Sequence, residues 1–232
     1  MFLRKKKLFT LDARLQTCAD MVREGRPMAD IGTDHAYLPI WLVKQARVPK
    51  AIAADVRVGP LQKAGFHVRC YGVEKQVDTR ISDGLELIFP NEADDIVIAG
   101  MGGLLIAEII GKAPWLKDTQ KHLILQPMTA AAELRAYLSE HGFAVVQERA
   151  VQDGEHIYTV MQAVYDPPHV QTGERFLQIG ILQPDAPQSR AYIERVCIRL
   201  QKRVQGLQQS GKEPEELMRI EMILRELQDL LR

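Results

Sequence analysis

Met28-Ala29-Asp30-Ile31-Gly32-Thr33-Asp34-His35 is the stretch whose reading decides how this chain folds. A short apolar run leads into an acidic turn with one glycine, and a helical pattern starts at His35. Glycine at such a turn lets backbone come close to a ligand, because it has no Cβ and tolerates positive φ. Asp34 stands where a dinucleotide fingerprint needs its second glycine, and Tyr37 where it needs the third. A carboxylate facing a pyrophosphate is repelled. The turn suits a cationic or hydroxyl-bearing ligand and disfavours a nicotinamide dinucleotide.

Working outward, Leu11, Leu15, Cys18 and Val22 recur at helical spacing and predict a helix over 11–24, ended by Gly25 and Pro27. Beyond the opening strand, 28–31, apolar runs predict strands at 51–55, 77–82, 96–99 and 123–126. Helical periodicity falls at 35–46, 60–71, 104–112 and 129–141. Such alternation implies an α/β fold with a parallel sheet covered on both faces. The segment after Ser82 leaves room for one helical turn. Runs at 144–151 and 156–164 flank Asp153-Gly154, a hairpin signal, so two strands should run antiparallel. Five parallel strands closed by a hairpin look like the Rossmann-like, seven-stranded sheet of S-adenosylmethionine-dependent methyltransferases.

Asp166-Pro167-Pro168 breaks the pattern, as do Pro184 and Pro187, which divides the chain into a methyltransferase domain over 1–165 and a helical domain over 166–232. Ile193 to Leu207 and Leu217 to Leu231 keep three- and four-residue spacing. They predict an antiparallel helical hairpin, a coiled coil, joined around Ser210-Gly211. The first helix carries Arg195, Arg199, Lys202 and Arg203; the second is acidic. A further basic cluster, Arg4–Lys7, opens the chain. Both clusters can serve RNA phosphates, and the helical stripe can equally be a solvated face.

The 232 residues are 46% apolar with formal net charge zero, enough for one sizeable core. Zero charge argues against nonspecific coating of nucleic acid but leaves room for a local basic face. No window approaches the ~20 apolar residues of a membrane span, and the charged N-terminus has no apolar run after it. Cys18, Cys70 and Cys197 are odd in number and far apart, and no two of the six histidines form an H-x-x-x-H pair. These features predict a reduced, cytoplasmic protein with no protein-bound metal and no membrane contact, a monomer or weak homodimer.

Methyl transfer from S-adenosylmethionine sets its own demands. A carboxylate for the ribose hydroxyls fits Asp55, followed by Val56, at the second strand end. An acceptor for the adenine amine fits Ser82-Asp83-Gly84. An acidic first turn for the ammonium and sulfonium fits Asp30, with Ile31 and Gly32. Each aspartate could instead cap a helix or turn. Gly100-Met101-Gly102-Gly103 precedes a helix and can touch a ligand or simply pack closely. Gln126-Pro127 at the fifth strand end is the nearest polar–proline pair, or else a helix start capped by Thr129.

D-I-G-T-D-H-A-Y-L-P (30–39), S-D-G-L (82–85), I-A-G-M-G-G (98–103) and L-Q-P (125–127) together resemble the bacterial tRNA (adenine(22)-N1)-methyltransferase family along the whole chain. The resemblance implies transfer of a methyl group from S-adenosylmethionine to N1 of adenine 22 in tRNA, leaving S-adenosylhomocysteine. It implies a catalytic role for Asp34 and cofactor binding by Asp55, a position more often Glu. Met128 departs from the family's usual Asn. His35, Tyr37, Gln126 and Pro127 are candidates for holding the base, or for buried packing. The competing readings are a methyltransferase acting on another RNA, a small molecule or a protein, and a non-catalytic RNA-binding module.

Overall fold

A computed structural model describes residues 8–211 and 213–232; the Arg4–Lys7 cluster lies outside the described residues. The first helix, α1 (Ala13–Met21), is shorter than its periodicity suggests. The Asp12 carboxylate accepts from Leu15 N at 2.8 Å and caps its start, and Val22 is already extended. Then follow β1 (Met28–Ile31), α2 (Tyr37–Lys44), β2 (Ala51–Asp55), α3 (Val58–Tyr71), β3 (Val77–Ile81) and β4 (Asp95–Gly102). The order continues with α4 (Gly103–Gly111), β5 (His122–Thr129), α5 (Ala131–Glu140), β6 (Phe143–Asp153) and β7 (His156–Tyr165).

The strands form one seven-stranded sheet in the order β3-β2-β1-β4-β5-β7-β6. β1 to β5 are parallel, and β7 runs antiparallel to both β5 and β6. This is the Rossmann-like sheet with a terminal hairpin that the sequence implies. Side-chain alternation splits the core between its two faces. Ile31, Ile96, Ile98, Leu123 and Leu125 meet α4 and α5 on one side. Met28, Ala53, Val97 and Ile124 meet α1, α2 and α3 on the other.

Three expectations change in detail. Between β3 and β4 the chain forms turns rather than a helical turn, because the Ser82 hydroxyl accepts from Leu87 N (3.1 Å) and competes with helical pairing. α2 begins at Tyr37, not His35: Thr33 Oγ1 accepts from Ala36 N (3.1 Å) and Ala36 is left-handed at φ 56°. No side chain caps α5, whose N-cap is left-handed Ala130; Thr129 remains in β5.

After β7, a 3-10 turn (Pro167–His169) leads to α6 (Glu174–Ile179), a helix the proline breaks concealed. Then α7 (Pro187–Ser210) and α8 (Pro214–Leu230) pair antiparallel. Arg190 at the start of α7 donates to Leu231 O (2.8 Å), and Arg203 pairs with Glu216 nearer the turn. Their apolar stripe is shared with Ile179 and Leu182 and reaches the hairpin at Ala150 and Ile157.

A buried ion pair fastens these helices to the sheet. Arg135 of α5 and Glu148 of β6 are both fully buried, with Arg135 Nη2 2.7 Å from Glu148 Oε1. Arg135 also donates to Leu177 O (2.9 Å), Gln178 O (3.2 Å) and the Tyr192 hydroxyl (3.3 Å). Glu148 accepts further from Thr159 Oγ1 (2.6 Å) and Ile181 N (3.0 Å).

Candidate active site

The C-terminal ends of β1 to β5 form one rim, and the acidic residues at the first strands are placed by register. Asp30 sits beside Ala53, and Asp55 beside Ile81 one strand further out. Asp30 is 7% exposed, and burial pushes its carboxyl up to about 6; a hydrogen bond from Thr33 pulls it down and the Asp55 charge pushes it up. Asp55 is buried and accepts from Arg57 N at 2.7 Å. Val56 beside it is exposed. Ser82 spans the next strand end, donating to Gly84 O (3.0 Å), which leaves the Asp83 side chain in solvent.

The glycines serve different ends. Gly32, after Ile31, has φ 79°, and a Cβ there would collide with Met101 Cε, so Met101 covers this turn. Gly100 also has φ 79°, with open space where a Cβ would stand. It is the extra residue of a bulge between β4 and β5, where pairing skips from Ala99–Gln126 to Met101–Pro127. Its N–H loses its ladder partner and is satisfied by Gln126 Oε1 at 3.0 Å. Arg14 Nη1 donates to the same oxygen at 3.2 Å while its Nε binds Asp153 at 2.7 Å. Gln126 is thus fully buried and bound within the protein, and Pro127 is buried beside it. Gly102 and Gly103 pack under the β5–α5 turn, Gly103 against Ala130 O.

Asp34 projects from this rim with its side chain 58% exposed. Its Oδ2 lies 3.0 Å from His35 Nε2, and Lys63 Nζ is 3.9 Å from Oδ1. His35, Tyr37 and His67 form three near-parallel rings with centroids 5.0 to 5.3 Å apart. His67 had no local signal in the sequence: it arrives from α3, far along the chain, and only the fold brings it here.

Next to the rim lies a cleft of about 670 Å³ between the end of β5, the start of β7 and α7. Met128, Tyr158 and Ile198 contribute its apolar wall, and Arg195, Arg199 and Lys202 its cations. Among the described residues that line it none is acidic. Arg199 is held by Gln178 at 3.0 Å and Arg195 approaches His156 at 3.5 Å. Arg203, expected in the same stripe, instead forms an ion pair with Glu216 of α8 and does not line the cleft. A larger cavity of about 850 Å³ at the N-terminal edge of β2 and β3 mixes Lys50, Arg69 and Lys75 with Glu74, Asp78 and Glu92. Charges of both signs give it no ligand preference.

Among the described residues no group of three or more His, Cys, Asp or Glu is placed to hold a metal ion, and no helix is long and apolar enough to cross a membrane.

A methyltransferase domain family matches residues 11–161, about two thirds of the chain. The chain belongs to that family. Among curated proteins it is similar to the tRNA (adenine(22)-N(1))-methyltransferase of Bacillus subtilis (strain 168), 39% identical over 153 residues, 66% of this chain. That alignment spans 64% of the relative's own length. Among solved structures, the B. subtilis m1A22 tRNA methyltransferase superposes with TM-score 0.82 at 28% identity over 96% of this chain and 99% of that one. A Streptococcus pneumoniae structure in complex with S-adenosyl-L-methionine has TM-score 0.75 at 28% identity, covering 94% of this chain and 98% of that one. The family read from the sequence motifs is the one these comparisons return.

Proposed function

We propose that this methyltransferase transfers a methyl group from S-adenosylmethionine to N1 of adenine 22 in tRNA. A methyltransferase unit up to residue 165 would carry the chemistry and the helical unit from 166 would help hold the RNA. The observation that carries the reading is the meeting of an acidic strand-end rim with an acid-free cationic cleft. The rim favours a cationic donor and the cleft favours a polyanion.

The residues present fit the donor. Asp30 is a buried carboxylate with no ion-pair partner among the described residues, a state that a cationic ligand relieves. Asp30, Ile31 and Gly32 would hold its methionine end, Asp55 and Val56 its ribose, and Ser82, Asp83 and Gly84 its adenine. Gly100, Met101 and Gly102 would line the floor. When bound, S-adenosylmethionine supplies an electrophilic methyl group on a sulfonium.

Adenine N1 carries a free lone pair, so the protein needs no base to remove a proton first. Its first task is alignment, which supplies on the order of 7–11 kcal/mol of the barrier. Its second is electrostatic: positive charge develops on the adenine ring, and the fixed Asp34 carboxylate stabilises it. His35 and Tyr37 would stand beside the same base. Arg195, Arg199 and Lys202 would bind phosphates beside the target, which must leave its stack to react. A cytoplasmic location follows from such a substrate.

Incubating the protein with unmodified tRNA and S-adenosylmethionine, then mapping methylated nucleosides by mass spectrometry, tests the proposal. Appearance of 1-methyladenosine at position 22 supports it. Methylation elsewhere, or none, overturns it.

A further inference from the structure

We propose that His35 is a positioning residue that fixes the Asp34 carboxylate without neutralising it, and that it does so in competition with Lys63. The inference rests on the proposed reading in which Asp34 faces the target base.

Asp34 is exposed, and an exposed carboxylate can pair with a neighbouring cation. That cation is Lys63, whose ammonium stands 3.9 Å from Oδ1. An ammonium drawn into full contact would cancel the negative charge on which stabilisation of a cationic adenine depends. The other oxygen is held differently: Oδ2 meets His35 Nε2 at 3.0 Å. The tautomer follows from the surroundings. His35 Nδ1 is buried and has no hydrogen-bond partner among the described residues, so a proton there would be a donor with nothing to receive it. The carboxylate only accepts, which places the single proton on Nε2. His35 therefore offers a neutral hydrogen bond, and the carboxylate keeps its full charge.

The imidazole is itself immobilised. It lies near-parallel to Tyr37 at 5.0 Å (18°) and to His67 at 5.2 Å (26°). Phe9 packs on Tyr37 from beyond, with centroids 4.7 Å apart. His67 Nδ1 lies 3.1 Å from His35 O, and since a carbonyl only accepts, His67 donates there and anchors the backbone that carries the ring. Loss of the His35 donor would leave Lys63 as the partner within reach.

Steady-state methylation of tRNA by His35→Phe, which keeps an aromatic ring and removes the donor, tests this. The expected result is a kcat lowered at least about tenfold, the scale of a hydrogen bond to a charged group. S-adenosylmethionine affinity and the KM for tRNA should stay within about twofold. Lys63→Met is measured alone as the reference, and relative to that reference the double variant should recover about threefold or more of the kcat lost in His35→Phe, the signature of coupled neighbours. A purely structural role for His35 would show no such recovery. Asp34→Ala is measured alongside. If it loses activity while His35→Phe keeps the wild-type kcat, the proposal for His35 is overturned and the reading of Asp34 survives. If Asp34→Ala keeps the wild-type kcat, the underlying reading fails. Should His35→Phe not fold, His35→Gln decides. A near wild-type kcat from this alternative donor supports the proposal, and a tenfold loss that Lys63→Met does not relieve overturns it.

Discussion

Asp30 gives the most quantitative handle on the rim. Burial holds its carboxyl at about 6 in the free protein, well above an ordinary aspartate. If only the carboxylate pairs with the ammonium of the donor, affinity follows its ionised fraction. That fraction is roughly nine-tenths at pH 7 and one-tenth at pH 5, so the association constant should fall about tenfold across this window, some 1.4 kcal/mol. Asp30→Asn should bind more weakly at pH 7 and show a flatter pH dependence. Stability moves the opposite way. Because the native state binds the extra proton, the contribution of this one group to stability is highest below about pH 4 and declines as pH rises toward 6. Removing the ionisable group in Asp30→Asn should therefore stabilise the free protein at pH 7 by up to about 3 kcal/mol, a gain that vanishes near pH 4. Isothermal titration calorimetry from pH 5 to 7.5, with thermal melts at each pH, reads both quantities. A pH slope shared equally by wild type and Asp30→Asn would refute the reasoning, since the titration would then belong elsewhere.

Other consequences are as direct. Glu148→Gln puts an amide donor among the donors of Arg135, Thr159 and Ile181 and should cost about 3–5 kcal/mol. At this chain length that is a Tm loss of about 6–20 °C by calorimetry, and a loss under about 3 °C would contradict it. Replacing Arg195, Arg199 and Lys202 together by alanine should make the salt dependence of tRNA binding shallower by about two to three in log–log slope, measured by fluorescence anisotropy; Arg203→Ala, already paired with Glu216, should change it by less than about one. Gly103→Ala meets the carbonyl of Ala130 and should destabilise by about 1–3 kcal/mol in urea unfolding, whereas Gly206→Ala, in open space on α7, should stabilise by up to about 1 kcal/mol.

Where burial alone decided an element, the sequence was readable. The runs Met28–Ile31 and Ala51–Asp55 are buried at every residue, and their ends coincide with those predicted. Boundaries set by individual side-chain bonds were not readable. The Thr33 hydroxyl delays α2, and the Ser82 hydroxyl unwinds the crossover after β3. α6 is six residues long, too short for periodicity to show between its flanking prolines. At the rim the strand exits pointed to Asp30, Asp55 and Asp83, and the family motif pointed to Asp34. They could not reveal that Gln126 turns inward, since its partner is created by a bulge at Gly100. Nor could they reveal His67, Lys63 or Arg14, which reach the site from other helices.

Arg135 also sets how the molecule measures. A swing of α6 and α7 against the sheet would break the bonds that Arg135 donates to Leu177, Gln178 and Tyr192 in a place that water does not reach. The cationic cleft wall and the Asp34 carboxylate are thus two marks on a stiff ruler. Under the proposed function, an RNA seated on the first mark would present to the second only the nucleotide at matching reach, so selection of one adenine among many would come from distance as well as from contacts to the base.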